Sequence, residues 1–320
     1  GERIGTGRPT IRWEHATDER LGVAQSGVDG YEVRMKHAGA TSWDVLTTFV
    51  DLDPDEDVDC VDADTRLEGD FDWVVPQFLA NGDYELVLRA RDVAGNVSAE
   101  WTDSLFFTVD TTPLNAPKAP YTASPTNNQR PEWTWLAVSE AVRYGVYLDG
   151  VAQGYVPQIP SPGETVTWPL EEHYELDEGR HYLQVTAVND LGNESEKSAL
   201  GYVDIDLTSP AAPQMQALPE FTNANEVLFQ WVAEADAVGY ELEYCAGGAH
   251  SGIAPVGVAH YTLDIPEDAA EGAVVSGCAR AYDAAGNVSD WAAPVARTRI
   301  DRTGPMVTDP TIPDTPTTNP

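Results

Sequence analysis

Residues 90–98 read ARDVAGNVS, residues 187–195 read AVNDLGNES and residues 281–289 read AYDAAGNVS. The copies start 97 and 94 residues apart. A second mark follows each of them: Asp110-Thr111-Thr112-Pro113, Asp206-Leu207-Thr208-Ser209-Pro210 and Asp301-Arg302-Thr303-Gly304-Pro305. The chain is therefore one unit written three times. A period near 95 residues is too long for helical or leucine-rich solenoids and suits a string of sandwich-sized domains, each large enough for its own core.

Working outward from the motif, each repeat opens on an early strand with a tryptophan: Trp13, Trp135 and Trp231. In repeats two and three a tyrosine follows nine residues later, Tyr144 and Tyr240. From there the pattern alternates, as Tyr144, Val146, Leu148; Tyr240, Leu242, Tyr244; and Tyr31, Val33, Met35 in repeat one, which marks half-buried strands. Next come Leu79-x-x-Gly82-x-Tyr84, Leu176-x-x-Gly179-x-His181-Tyr182 and the weaker Ala269-x-x-Gly272, with Val275 where repeat one has Tyr84. The strand that follows runs into the motif. There Asp92, Asn189 and Asp283 fit the first corner of a type I turn, with Gly95, Gly192 and Gly286 three residues on, where positive φ is easiest. Asn96, Asn193 and Asn287 complete the turn. No window holds a 3.6-residue period, so the fold class is all-β.

These features resemble fibronectin type III domains, and the turn followed by Asp-x-Thr-x-Pro resembles the tandem immunoglobulin-like repeats of large bacterial surface proteins and adhesins. The resemblance implies three tandem β-sandwich domains: residues 1–113 with an acidic loop insertion, 114–210, and 211–307, with 308–320 a Pro/Thr-rich linker to something further. It carries no activity with it, because this superfold hosts many functions.

Repeat one is longer than its siblings. Eighteen residues separate Trp13 from Tyr31, and a second excess holds DLDPDEDVDCVDAD at 51–64. Long loops on a rigid scaffold are where function collects. The second loop carries eight carboxylates in fourteen residues. Asp53, Asp55, Asp57 and Asp59 offer hard oxygen ligands at alternate positions, the donor set calcium takes; the alternative is a solvated acidic loop. The junction residues Asp110, Asp206 and Asp301 could ligate a cation between domains or form local side-chain turns ahead of the proline, and the turns are the better account.

The balance of 53 acidic against 18 basic residues gives a net charge of −35. Such a surface repels phosphate backbones and anionic headgroups, which argues against nucleic-acid and membrane partners. No apolar run approaches the ~20 residues of a membrane span, so any signal or anchor is expected outside this stretch. Of three cysteines, Cys245 and Cys278 fall outward on strands expected to be neighbours, which predicts a disulfide and an oxidising compartment; two reduced thiols are the alternative, and Cys60 is left over. The asparagines of the motif satisfy the N-glycosylation pattern, but their place on one turn explains the recurrence without glycans. None of the six histidines has a partner at metal-ligand spacing and no Ser/His/Asp order appears, so no enzyme is expected.

The expected function is a non-catalytic stalk or spacer at a microbial cell surface, with calcium as cofactor and, as partner, a surface protein or glycan or further repeats of its own chain. The rival is a carbohydrate-binding accessory region of a secreted polysaccharide-degrading enzyme, presenting Trp43, Trp73, Trp101 or Trp291 to a sugar. Calcium has a direct test. At a hundredfold excess over its dissociation constant it should stabilise repeat one by about 2.7 kcal/mol. Thermal unfolding in calcium against chelator, at constant ionic strength, reads the shift; an Asp55→Asn/Asp57→Asn chain that shifts equally identifies the loop as merely solvated.

Overall fold

The pleat of a strand sends alternate side chains to opposite faces, and in the third repeat residues 274–282 alternate between exposed or half-buried and buried positions along the whole strand. The computed structural model describes residues 1–14, 16, 28–51, 70–92, 94–156, 161, 163–170, 174–246 and 251–307. Among them are twenty strands and no helix, hence no helix able to cross a membrane.

In repeat one, β1 (Glu2–Ile4), β2 (Thr10–Glu14), β3 (Val28–His37), β4 (Asp44–Asp51), β5 (Asp70–Val74), β6 (Gly82–Asp92) and β7 (Leu105–Val109) form a sheet in the order β1-β7-β6-β3-β4 and a pair β2-β5. Ile11 and Trp73 from the pair meet Val33, Met35, Leu86, Phe107 and Val109 from the sheet, so the core lies between them. Repeat two contributes β8 (Glu132–Leu136), β9 (Arg143–Leu148), β10 (Val151–Val156), β11 (Thr165–Pro169), β12 (Gly179–Val188) and β13 (Gly201–Ile205), ordered β10-β9-β12-β13 with a pair β11-β8. In repeat three, β14 (Phe221–Thr222), β15 (Glu226–Gln230), β16 (Gly239–Ala246), β17 (Ser251–Val256), β18 (His260–Asp264), β19 (Val274–Tyr282) and β20 (Ala296–Ile300) repeat the first plan as β14-β20-β19-β16-β17 and β15-β18. Phe229 and Leu263 pack there on Leu242, Val275, Ala279 and Ile300.

One side-chain pair recurs at the centre of every repeat. Trp13 and Tyr31, Trp135 and Tyr144, and Trp231 and Tyr240 meet edge-on, with ring centroids 5.2, 5.6 and 5.4 Å apart. Each tyrosine sits opposite the alanine that opens the turn motif, Ala90, Ala187 or Ala281, whose small side chain leaves room for the ring. Each tyrosine oxygen accepts the amide three residues after the tryptophan: Ala16 at 2.7 Å, Val138 at 2.7 Å and Glu234 at 2.9 Å. Burial pushes the Tyr31 and Tyr144 hydroxyls up in pKa, against the donated amides, and keeps them neutral. The insertion of repeat one enters after residue 16 and leaves this pair unchanged. Its residues 17–27 lie outside the described residues.

The corner is conserved in geometry more than in residue type. The Tyr84 hydroxyl donates to the Ala80 carbonyl at 2.9 Å, and the same four-residue reach is made in repeat two by His181, whose Nε2 lies 2.9 Å from the Asp177 carbonyl. In repeat three Val275 stands opposite Thr298 as Tyr84 stands opposite Phe107. The corner bond has no counterpart there because valine has no donor.

By contact density the chain divides into two units. One comprises Gly1–Pro120, Thr134–Trp168 and Leu183–Gly201; the other comprises Tyr121–Trp133, Pro169–Tyr182 and Tyr202–Pro320. The division falls within repeat two.

Replacing Tyr240 by Phe removes the acceptor of the Glu234 amide while keeping the ring. The expected cost is about 1 kcal/mol, seen as a roughly fivefold faster hydrogen exchange of that amide. Trp231→Ala, which empties the core beneath it, should cost about 3–5 kcal/mol and accelerate exchange throughout β15 and β16.

Candidate functional site: the repeat turn and the junction

The motif folds by satisfying its own backbone. At the turn, Gly95, Gly192 and Gly286 donate their amides to the carbonyls of Asp92, Asn189 and Asp283 at 2.9, 3.1 and 3.4 Å. The three glycines hold φ of 87°, 84° and 93°, a region that a Cβ disfavours. The side chains of Asp92, Asn189 and Asp283 accept the amides of Asn96, Asn193 and Asn287 at 2.6, 2.9 and 2.8 Å. The serine closes the hairpin. The amides of Ser98, Ser195 and Ser289 each lie 2.9 Å from the carbonyls of Ala90, Ala187 and Ala281, and the serine oxygens accept those alanines' amides in return.

The junction has a fixed register as well. The amides of Asp110, Asp206 and Asp301 donate to the carbonyls of Ile4, Thr126 and Thr222 at 2.9, 3.0 and 2.9 Å, tying the end of each repeat to its own leading segment. Sixteen residues separate Asp110 from Thr126, and sixteen separate Asp206 from Thr222. The carboxylates of Asp110 and Asp206 accept the amides of Thr112 and Thr208, each at 3.1 Å, and Arg3 donates to Asp110 at 2.8 Å. These are local Asp-to-Thr turns.

Turn and junction are partners. Within the first unit, Asn193 donates its side-chain amide to the Asp110 carbonyl at 2.7 Å; within the second, Asn287 donates to the Asp206 carbonyl, also at 2.7 Å. Asn287 uses its other hydrogen on the Asp283 carboxylate at 2.9 Å. Both asparagines are 8% exposed, so their glycosylation pattern has no accessible nitrogen to offer. A second contact flanks the bond: the Asn127 amide donates to the Ala285 carbonyl at 3.0 Å, and a side chain at Gly5 would run into the Leu191 carbonyl. Gly5 and Leu191 hold the positions of Asn127 and Ala285 and approach each other closely, while the amide-to-carbonyl bond is made between Asn127 and Ala285. The sequence displays both marks and hides their partnership, since the partners lie 83 and 81 residues apart.

Beside the turn, the outward face of repeat one carries an ion cluster that the sequence reading overlooked. Glu32 is buried, accepts Arg34 at 2.8 Å, and pairs with Arg89; both guanidiniums stack on Trp101, 4.4 and 4.6 Å from its centroid. Burial alone would raise the Glu32 carboxyl; the two arginines outweigh it and hold it below the usual range. Repeat three rebuilds the cluster from Glu241, Arg280 and Trp291, with the arginine 4.6 Å from the ring centroid. Glu opposite Arg on neighbouring strands was the available signal, at Glu32↔Arg89 and Glu241↔Arg280. Of the aromatics proposed for sugar, Trp73 is buried in the core, and Trp43 lies under Lys36 at 4.3 Å.

The expected Cys245–Cys278 disulfide is corrected by the register: both thiols are free. Cys278 stands opposite Glu243 and Cys245 opposite Ser276, so the two are diagonal neighbours. Diagonal neighbours stand roughly 7–8 Å apart, and a bridge needs Cβ atoms within about 4.5 Å. Burial and then the Glu243 charge push the Cys278 thiol up, towards its protonated form. Asp53, Asp55, Asp57, Asp59 and Cys60 lie outside the described residues. Among the described residues no three His, Cys, Asp or Glu side chains converge on a metal-sized space.

Residues 36–111 match the family model of the bacterial Ig-like domain. Among solved structures, the chain is similar to the FN1–FN3 domains of chicken CNTN1, at 14% identity over 94% of this chain and 96% of that one, with a TM-score of 0.41. It is also similar to the fibronectin(III)-like modules of Clostridium thermocellum CbhA, at 18% identity over 64% of this chain and 90% of that one, with a TM-score of 0.34. No curated protein matches the chain.

The turn makes one pH prediction. Burial would raise the Asp283 carboxyl, and the bonds from Asn287 more than offset this and leave it lowered. A depressed carboxyl stabilises the fold above its unfolded pKa of about 3.9 and loses that contribution as pH falls through the folded value. Asp283→Asn supplies the residue that repeat two carries at 189. The variant should be less stable than the parent at pH near 6, with the gap closing on acidification towards pH about 2.5, as read by exchange of the Asn287 amide.

Proposed function

We propose that this tandem array of immunoglobulin-like, fibronectin type III-like β-sandwiches is a non-catalytic spacer in an extracellular protein at a microbial cell surface, with repeat one available for adhesion. The observation that carries the reading is the doubled junction. The same asparagine-to-carbonyl bond, a close flanking approach at equivalent positions and the same sixteen-residue spacing occur at Asp110 and at Asp206. Folds of this class carry specific functions on their loops, and the two insertions of repeat one are where a partner would be met. Calcium at Asp53, Asp55, Asp57 and Asp59 would neutralise the acidic loop and stiffen that end. The match to a bacterial Ig-like domain supports an extracellular setting.

One observation favours the carbohydrate-binding reading. A cavity of about 300 Å³ opens beside Trp101, lined also by Trp13, Tyr31, Arg89 and Glu100. Aromatic rings beside acidic and basic hydrogen-bonding groups suit a sugar.

The two readings part in one experiment. Residues 1–307 are placed between a surface anchor and an epitope on cells coated with polysaccharide, and the same chain is applied to a glycan array. The spacer reading expects restored antibody access to the epitope and no glycan retained. Retention that Trp101→Ala abolishes, without gain of access, would replace it with the rival.

A further inference from the structure

The first turn has the same parts as the other two and a different environment. Asp92 accepts the Asn96 amide at 2.6 Å and its side-chain amide at 2.8 Å, the arrangement Asp283 makes with Asn287. Yet Asn96, Ala94 and Ser98 are exposed, whereas Asn287, Ala285 and Ser289 are buried, as are Asn193 and Ser195. In repeats two and three that burial comes with a junction: the Asp carbonyl on the asparagine, and the leading segment against the carbonyl two residues before it. Beside the first turn a cavity of about 240 Å³ is lined by Asp92, Asn96, Val97 and Ser98 together with Ala16 and Val28.

We infer that the first turn is a socket for the junction of a further repeat of this kind, carried ahead of Glu2 on the same chain. The Asn96 side-chain amide would donate to the carbonyl of that junction's aspartate, and the Ala94 carbonyl would accept an amide from its leading segment as Ala285 does from Asn127. The chemistry is specific to a backbone in the junction conformation: one carbonyl acceptor and one amide donor, presented together by a strand end whose own Asp amide is tied to a leading strand. Covalent delivery is part of the inference, because two hydrogen bonds worth about 1 kcal/mol each hold a partner only at the effective concentration a tether gives. The inference rests on the spacer reading and sharpens it, by naming what repeat one meets on its turn side.

Residues 114–219 are duplicated and fused directly ahead of Glu2 in the full chain, which sets the copied Asp206 sixteen residues before Ile4. The readout is the asparagine side-chain amide resonances and their hydrogen exchange, in the parent and in the fusion. The expected result is that Asn96 alone moves to the positions of Asn193 and Asn287 and exchanges roughly fivefold more slowly, the factor worth about 1 kcal/mol. In the fusion, Asn96→Ala should cost the neighbouring turn amides more protection than it does in the parent, where the substitution removes only the side-chain bond to Asp92; an equal loss in both chains counts against the socket. If Asn96 in the fusion keeps its parental resonance and exchange rate, the socket is refuted, although the spacer reading survives on its display experiment. If Asn96 of the parent shifts with protein concentration before any fusion, the occupant is a second copy in trans and the inference of a tethered repeat is wrong. A chain that restores epitope access and leaves Asn96 untouched in the fusion separates the two failures.

Discussion

A primary amide has two hydrogens to place, and this structure is organised around where the asparagine of each turn places them. Asn287 gives one to the Asp283 carboxylate of its own turn and one to the Asp206 carbonyl of the repeat before. The first makes the turn rigid enough to aim the second. Buried donors and acceptors without partners cost more than the bonds themselves return, so once the turn is covered the aspartate carbonyl and the asparagine amide need each other. The same economy governs Asn193, whose neighbour Asn189 does the work of an aspartate without the charge.

Inside each repeat the equivalent constraint is the buried tyrosine hydroxyl. It must accept an amide near the tryptophan, and that requirement fixes how the early strand approaches the sheet. Loop length between the two residues is left free: eighteen residues in repeat one and nine in the others lead to ring separations within 0.4 Å of one another, 5.2 to 5.6 Å. Closing a longer loop costs little, since the entropic term grows only with the logarithm of length. This is why an insertion could be accepted beside the core without rebuilding it.

Local rules made much of this legible. The alternation from Tyr240 to Leu242, the glycine at the positive-φ position and the recurrence of the motif depend on residues close in sequence, and they announce strands, turns and repeats directly. What escaped depends on register or distance. The disulfide failed by two positions on a ladder that sequence alone could not align. The His181 bond to Asp177 was obscured because a histidine had taken a tyrosine's place. The partnership of Asn193 with Asp110 was invisible for a deeper reason: a side-chain amide has no preference for any particular carbonyl, and only the folded chain says which one it reaches. The ion clusters under Trp101 and Trp291 needed pairing across strands, which periodicity along one strand does not supply.

The sixteen-residue interval between a junction aspartate and the next leading segment has a consequence for how such a chain can change. Because every joint uses the same spacing and the same pair of groups, the unit of exchange is the whole repeat, cut anywhere at equivalent positions. In-frame duplication or loss of a repeat by recombination between the homologous turns leaves a correct joint at the scar. A chain built this way can change its length in a single genetic event without passing through a misfolded intermediate, and the sequence of each repeat is then free to drift outside the residues that make the joint and those that build its core.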